Sequence, residues 1–230
     1  MPRTGKRPTV RLMMAMTADG KIATVAREAA RFGSQEDQRR LREQVAWADA
    51  LIVAAGTLRA HGSTFTVSRP DLVAQREVRG QRPQPTSVVV TRSLDLPLDI
   101  PFFTAQRIPR MIATTAPNER RARERFAGLA EVFAAGGRDV DVGALVRGLA
   151  ERGMEHLLGL GGGELNYALV AAGLLDEVFL TVSPYFFGGT NAPTIIDGPG
   201  FAVEEAVKLV LVSCDAVDGE VFLHYRVTAR

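Results

Sequence analysis

Short apolar runs rich in valine, isoleucine and leucine recur along this chain, and stretches of helical period separate them. This alternation limits the possible folds more than any other feature. It is the pattern of an α/β architecture, in which strands are buried between layers of helices. The runs read Thr9–Met16, Asp49–Ala55, Thr86–Thr91, Arg110–Thr115, Ala130–Ala134 and His156–Leu160. Residues 50–55 are continuously apolar, as expected of a strand covered on both faces. Helices are predicted from Ser34 to about Ala48, over Leu58–His61, and from about Asp71 to Val78. Others are predicted over Asn118–Ala127, from an Asp141 cap to near Gly153, and over Glu164–Ala172. Ser34 is a good N-cap with Glu36 and Asp37 in the first turn behind it. Ser93–Pro109, carrying Pro97, Pro101 and Pro109, reads as loop. Glu177–Ser183, Ala206–Cys214 and Glu220–Thr228 read as strands, the last two joined by an Asp218-Gly219 hairpin turn. The sheet is therefore mostly parallel with an antiparallel C-terminal part. No repeat, low-complexity segment or boundary appears, and 1–230 reads as one domain.

Composition excludes several function classes. Net charge is +2 and no Lys/Arg run dominates a face, so nothing points to nucleic acid. Cys214 is the only cysteine, which rules out an intrachain disulfide and a multi-cysteine zinc site. His61, His156 and His224 have no metal-ligand spacing, so no metal is expected; His156, at the start of a strand, reads as structural. Val10–Met16 is too short for a signal sequence or a membrane span. These features point to the cytoplasm.

The strongest local signal is Leu158-Gly159-Leu160-Gly161-Gly162-Gly163-Glu164-Leu165, where a strand ends, glycines turn and a helix starts. Glycines let backbone approach an anion without a Cβ clash, and the helix N-terminus offers free N–H groups and partial positive charge. The place is the carboxyl end of a strand, where open α/β sheets bind ligands. A tight turn without a ligand is the plainer reading. A second strand-to-helix turn, Ala55-Gly56-Thr57-Leu58-Arg59, has Thr57 as either a phosphate ligand or a simple cap. No Walker A, G-x-G-x-x-G or nucleophile-elbow motif is present.

Ordered motifs run through the chain: 17–23 (TADGKIA), 30–34 (ARFGS), 48–53 (ADALIV), 56–60 (GTLRA), 161–165 (GGGEL), 172–177 (AGLLDE) and 184–189 (PYFFGG). In order and spacing this set resembles the pyrimidine reductase family of riboflavin biosynthesis, over about Arg7 to Tyr225. That family includes the C-terminal reductase domain of the bifunctional riboflavin deaminase/reductase. The resemblance implies a dihydrofolate-reductase-like, three-layer fold with a mixed, mostly parallel sheet flanked by helices, and usually a homodimer. It implies reduction of the ribosyl group of 5-amino-6-(5-phosphoribosylamino)uracil to ribityl, with hydride from NADPH. The partner is thus a phosphorylated pyrimidine, with no nucleic acid and no membrane.

By position, Gly56, Thr57 and the run Gly161, Gly162, Gly163, Glu164, Leu165 and Asn166 match cofactor contacts, and Ala15 and Met16 face the nicotinamide. Arg92 stands where an arginine would bind a 2′-phosphate, or is a solvated strand-end residue; His61 lies beside the implied cleft. Asp19, on the loop after the first strand, is either the proton donor or a turn residue in Asp-Gly. Thr17 is a candidate for a ribosyl or pyrimidine hydrogen bond, and Arg31 and Arg59 for the substrate phosphate. Tyr185–Gly189 reads as a dimer contact or as core.

The chain also departs from the family. Leu160 stands where an acidic residue often precedes the glycines, Val45 where an arginine is common, Ala29-Ala30-Arg31 in place of Ser-x-Trp, and 61–65 (HGSTF) where Asp-Asp-Pro is usual. The cofactor half of the pattern is kept better than the substrate half. Reduction of another pteridine or folate-like compound, or nucleotide binding without turnover, are the alternatives. The companion deaminase needs a zinc site that one cysteine cannot build.

Overall fold

The structure is a computed structural model that describes residues 7–29 and 32–228. These residues form two compact units, 7–9 with 42–158, and 10–29 and 32–41 with 159–228. The chain crosses between the units within its first strand, its first helix and its sixth strand.

The first unit is built on β2 (Ala50–Ala54), β3 (Thr86–Val90), β4 (Arg110–Thr114), β5 (Glu131–Ala134) and β6 (His156–Gly159). Their order is β5-β4-β3-β2-β6, and β2, β3, β4 and β5 pair in parallel. Val88, Val89, Ile112, Leu157 and Leu158 are buried, as expected of strands covered on both sides. The helices here are α2 (Ala55–His61), α3 (Pro70–Val78), α4 (Pro101–Thr104), α5 (Glu119–Arg125) and α6 (Val142–Glu151). Val142, Leu145, Val146 and Leu149 form the buried stripe of α6, and Asp141 caps it by accepting from the Ala144 amide at 2.8 Å.

Arg76 of α3 is a buried cation that joins separate segments. Its Nη1 donates to the carbonyls of Ala46 and Ala48, at 2.9 and 2.6 Å, and its Nε to that of Arg82 at 2.8 Å. It thereby satisfies carbonyls at the C-terminal end of α1 (Gln35–Trp47) that the helix cannot. Burial lowers its pKa to about 10, which still leaves it charged at neutral pH. His156 sets its ring edge-on to Trp47, with Nδ1 3.3 Å from the Asp49 carboxylate, in keeping with a structural histidine.

The second unit carries β1 (Thr9–Thr17), β7 (Glu177–Ser183), β8 (Leu209–Val217) and β9 (Glu220–Val227) in the order β1-β7-β9-β8. β1 and β7 are parallel, while β7–β9 and β8–β9 are antiparallel. Asp218 and Gly219 have φ of 51° and 83°, the left-handed pair that a two-residue hairpin matching strand twist requires. Helix α7 (Gly163–Ala171) and the N-terminal part of α1 belong to this unit.

Nine strands form among the described residues, mixed and mostly parallel, with helices on their flanks. Three readings need correction. β8 starts at Leu209, because 203–205 turn as a 3-10 helix first. Ser93–Pro109 contains α4, whose Pro101 sits at the first helical turn, where a missing N–H costs nothing. Helix α2 begins at Ala55 directly after β2, so Gly56 and Thr57 are its first-turn residues and not a turn ahead of Leu58.

Candidate active site

The glycine run leaves β6 and enters α7 through Gly161 and Gly162, with φ of 108° and 91°, conformations that L side chains rarely adopt. Gly163 then opens the helix under a tight lid. A Cβ there would collide with the Asp197 carboxylate and the Thr194 carbonyl. Asp197 is held in place by the Thr194 amide (3.0 Å) and hydroxyl (2.8 Å), and its own amide donates to the Gly163 carbonyl at 3.1 Å. Asn166 is buried one turn on. Its Nδ2 donates to the Ile195 carbonyl at 2.8 Å, while its Oδ1 has no hydrogen-bond partner. Glu164 is exposed at the first turn, and the Leu165 side chain is in the core, leaving its backbone N–H as the group it can offer a ligand.

Two loops tie this cradle to the end of β1. Lys21 bridges to Thr194, the Ile22 amide donates to the Pro193 carbonyl at 3.0 Å, and the Phe32 and Phe187 rings meet edge-on at 5.4 Å. Asp19 is the main fastener. It accepts from the Thr17 hydroxyl (2.5 Å) and from the amides of Phe187 (3.2 Å) and Gly188 (2.7 Å). The Thr17 hydroxyl, aided by the two amides, lowers the Asp19 pKa below the ordinary carboxylate range. A carboxylate so held accepts hydrogen bonds and anchors the loop. Thr17 is buried with its hydroxyl in this turn, while Ala15 and Met16 are half-buried.

Asp19→Asn is therefore expected to loosen 184–189, read as faster amide exchange at Phe187 and Gly188. The Asp19 contribution is present above the unfolded carboxylate pKa, about 4. It is lost as pH falls through the lower folded value, so wild type and variant converge in acid.

Sequence reading missed a second cluster in this unit. Asp37, in the first turn of α1, accepts from the Thr181 hydroxyl of β7 at 2.7 Å. Glu220, at the start of β9, accepts from the Ser34 amide (3.1 Å), the Ser34 hydroxyl (2.5 Å) and the Ser183 hydroxyl (2.6 Å). Both acids are buried, at 5% and 2% exposure. Ser34 caps α1 as expected, its Oγ accepting from the Asp37 amide at 3.1 Å. The legible signal was an acid three residues after a capping serine; the partners lie 144 and 186 residues away along the chain.

The remaining candidates lie in the first unit. Gly56 and His61 are exposed on α2, and Thr57 is half-buried. Arg59 donates to the Asp95 carbonyl at 2.7 Å. Arg92, past β3, is exposed and paired with Asp139 at 2.7 Å. Arg31 lies outside the described residues. No cluster of potential metal ligands occurs among the described residues.

Against known families, residues 8–223 match the model of the RibD C-terminal domain. The chain belongs to the RibD C-terminal domain family. A relative in Methanothermobacter thermautotrophicus, named 2,5-diamino-6-ribosylamino-4(3H)-pyrimidinone 5′-phosphate reductase, is 35% identical over 226 residues, covering 96% of this chain and 99% of its own. Among solved structures, a pyrimidine reductase-like protein from Corynebacterium diphtheriae superposes with a TM-score of 0.84 at 20% identity, covering 97% of this chain and 93% of that one. Dihydrofolate reductase from Enterococcus faecalis superposes with a TM-score of 0.53 at 13% identity, covering 95% and 96%. These two likenesses establish a dihydrofolate-reductase-like fold for this family member.

Proposed function

We propose that the chain is an NADPH-dependent reductase that converts the ribosylamino group of a 6-ribosylaminopyrimidine 5′-phosphate to ribitylamino. The observation that carries this reading is the cradle at the start of α7. Two left-handed glycines, a third with no room for a Cβ, and a buried asparagine with an orphaned Oδ1 fit an anionic, hydrogen-bonding cofactor. In the second unit, Gly161, Gly162, Gly163, Glu164, Leu165 and Asn166 would hold the cofactor, with Ala15 and Met16 against its nicotinamide; Gly56, Thr57, His61 and Arg92 of the first unit are candidates on the family resemblance alone. When bound, the cofactor supplies a hydride. The chain's own residues position the pyrimidine, with Thr17, Arg59 and Arg31 as candidate contacts. The family match spans both compact units, which supports one reductase domain over the whole chain.

The name of the Methanothermobacter relative, which this chain covers almost end to end, favours the 2,5-diamino compound as first substrate over the 5-aminouracil. Purified protein is mixed with NADPH and each pyrimidine in turn and followed at 340 nm, with NADH and dihydrofolate as controls. Oxidation of NADPH with a ribosylaminopyrimidine and not with dihydrofolate is the expected result. NADPH binding without turnover of either pyrimidine would reject the reading. A single cysteine suits the reducing cytoplasm, where we place the activity.

We also propose a homodimer paired through β8. Leu209, Val210, Leu211 and Val212 of this edge strand are each more than 40% exposed, and exposed apolar edges are normally paired or covered. Antiparallel pairing of one edge with its own copy about a two-fold axis is self-complementary, which favours a second copy as the occupant. Sedimentation equilibrium is expected to give twice the chain mass, falling to a single mass in Val210→Lys. A monomeric wild type would reject the pairing.

A further inference from the structure

We propose that Asp37, buried and hydrogen-bonded to the Thr181 hydroxyl, supplies the proton consumed in the reduction; the proposal rests on the reductase reading above. Two buried acids near each other make ionisation of either one costlier, and hydrogen-bond donors to a carboxylate offset that cost. Glu220 collects three donors, from Ser34 twice and Ser183 once. Asp37 has one close donor, Thr181, with Gln38 Nε2 more distant at 3.5 Å. Burial first, and the Glu220 charge with it, raise the Asp37 pKa above the ordinary carboxylate range against the pull of the Thr181 hydrogen bond.

The strand register places the hydrogen-bond partner of this acid beside Ala15, one of the residues proposed to face the nicotinamide. Ala15 pairs with Thr181 and Thr17 with Ser183, so these four side chains share one face at the carboxyl end of β1. Asp37 stands over that face through Thr181. Gly33 lies against its Oδ2, where a Cβ would collide with the carboxylate. From α1, Glu36 and Arg40 pair with each other, and Arg40 also reaches Asp215 of β8. β9 brings Glu220 and Phe222, with His224 further along the same face, and β7 brings the Thr181 and Ser183 hydroxyls, with Phe179 and Glu177 further along; Glu177 is paired with Arg11 and His224. None of these neighbours is a cation directed at Asp37. Asp19 is the opposite case, an exposed acid with three donors and a lowered pKa.

The proton balance defines the role. Opening the ribose ring of a ribosylamine gives a carbon–nitrogen double bond at C1′. Hydride from the dihydronicotinamide adds to C1′, and the π pair moves to nitrogen. The Asp37 O–H bond breaks as the new N–H bond forms, leaving a carboxylate that solvent reprotonates. One proton is consumed per hydride, as the reduction requires.

The test has two arms. Carbon-13 NMR of labelled aspartate carboxyls in the ligand-free protein is expected to show one group titrating above the ordinary range and absent from Asp37→Asn. Ordinary titration of every aspartate would overturn the proposal. In turnover, kcat of wild type is expected to fall as pH rises through that pKa. Asp37→Asn is expected to lose about 10²–10⁴-fold in kcat, and the pH limb with it, at unchanged NADPH affinity. Thr181→Val keeps the acid and removes the hydrogen bond that lowers its pKa, so its pH limb should move to higher pH. Turnover in Asp37→Asn with the wild-type pH profile would overturn the donor role. Absence of turnover in wild type would instead remove the reductase reading, and the donor role with it.

Discussion

Glu220→Leu is expected to lose about 3–5 kcal/mol of folding stability, a fall in Tm of roughly 10 °C for a chain of this size. The leucine is close in volume, so the loss does not arise from a cavity. It arises because the Ser34 amide, the Ser34 hydroxyl and the Ser183 hydroxyl lose their acceptor inside the protein. The hydroxyls can turn, but the amide cannot. Because Ser34 caps α1, the loss of its tether to β9 also frees the start of that helix. The same change removes the charge that opposes ionisation of Asp37, whose pKa should move back towards the ordinary range.

This shift predicts a pH signature. An acid whose folded pKa is raised contributes stability that is full below its unfolded pKa and is lost as pH rises through the folded value. Wild type should therefore weaken as pH climbs above about 4, the unfolded carboxylate value, until Asp37 has ionised in the fold. Glu220→Leu should show a narrower window of that loss, although it is less stable throughout. Denaturant melts across pH read both effects. A Tm within a degree or two of wild type, roughly a 0.5 kcal/mol effect, would mean that the three donors find water instead.

What could be read in the sequence depended on how local the cause was. The parallel core strands were legible because continuous apolar runs such as 50–54 have no other use in a chain of this composition. Ser34, Asp141 and Asp218-Gly219 were legible because caps and tight hairpins are decided within four residues. β8 was misplaced by three residues because Ala206, Val207 and Lys208 suit a strand as well as Leu209 does, and only pairing with β9 decides where the strand begins. The opening of α2 was missed for a related reason. Gly56 and Thr57 suit a turn by propensity, yet the chain goes from β2 into helix with no loop residue.

In the candidate site, the glycine cradle was visible as a pattern, but its lid of Thr194 and Asp197 was not. Asp37 appeared only as a first-turn acid favourable to the helix dipole. Its hydrogen bond comes from Thr181 and part of its raised pKa from the charge of Glu220, neither of which is near it in sequence. Asp19 was read as donor or turn residue, and its bonds to Phe187 and Gly188 give it a loop-anchoring duty that no local motif announces.

Gly163→Ala is expected to weaken NADPH about tenfold to a hundredfold, or roughly 1.4–2.7 kcal/mol of binding free energy. The added methyl meets the Asp197 carboxylate and the Thr194 carbonyl. Neither is the free end of a flexible chain, because Asp197 is fixed by the Thr194 amide and hydroxyl. The turn must therefore move as a body, at about 1–3 kcal/mol of strain in the fold. It carries with it the Ile195 carbonyl that orients Asn166, and the Lys21 bridge that ties in the loop after β1. The first-turn amides of α7 and the Asn166 Oδ1 are then no longer held in the arrangement proposed for the cofactor.

Gly173→Ala is the matched control. Gly173 also has a positive φ, at 64°, but faces open space at the far end of the same helix. It should lose about 1 kcal/mol of stability to backbone strain and leave NADPH affinity alone. Calorimetric titration of both variants with NADPH, alongside their melts, separates strain from ligand contact. If Gly163→Ala lost stability and still bound NADPH as wild type does, the cradle would be a structural turn and the cofactor would have to bind elsewhere.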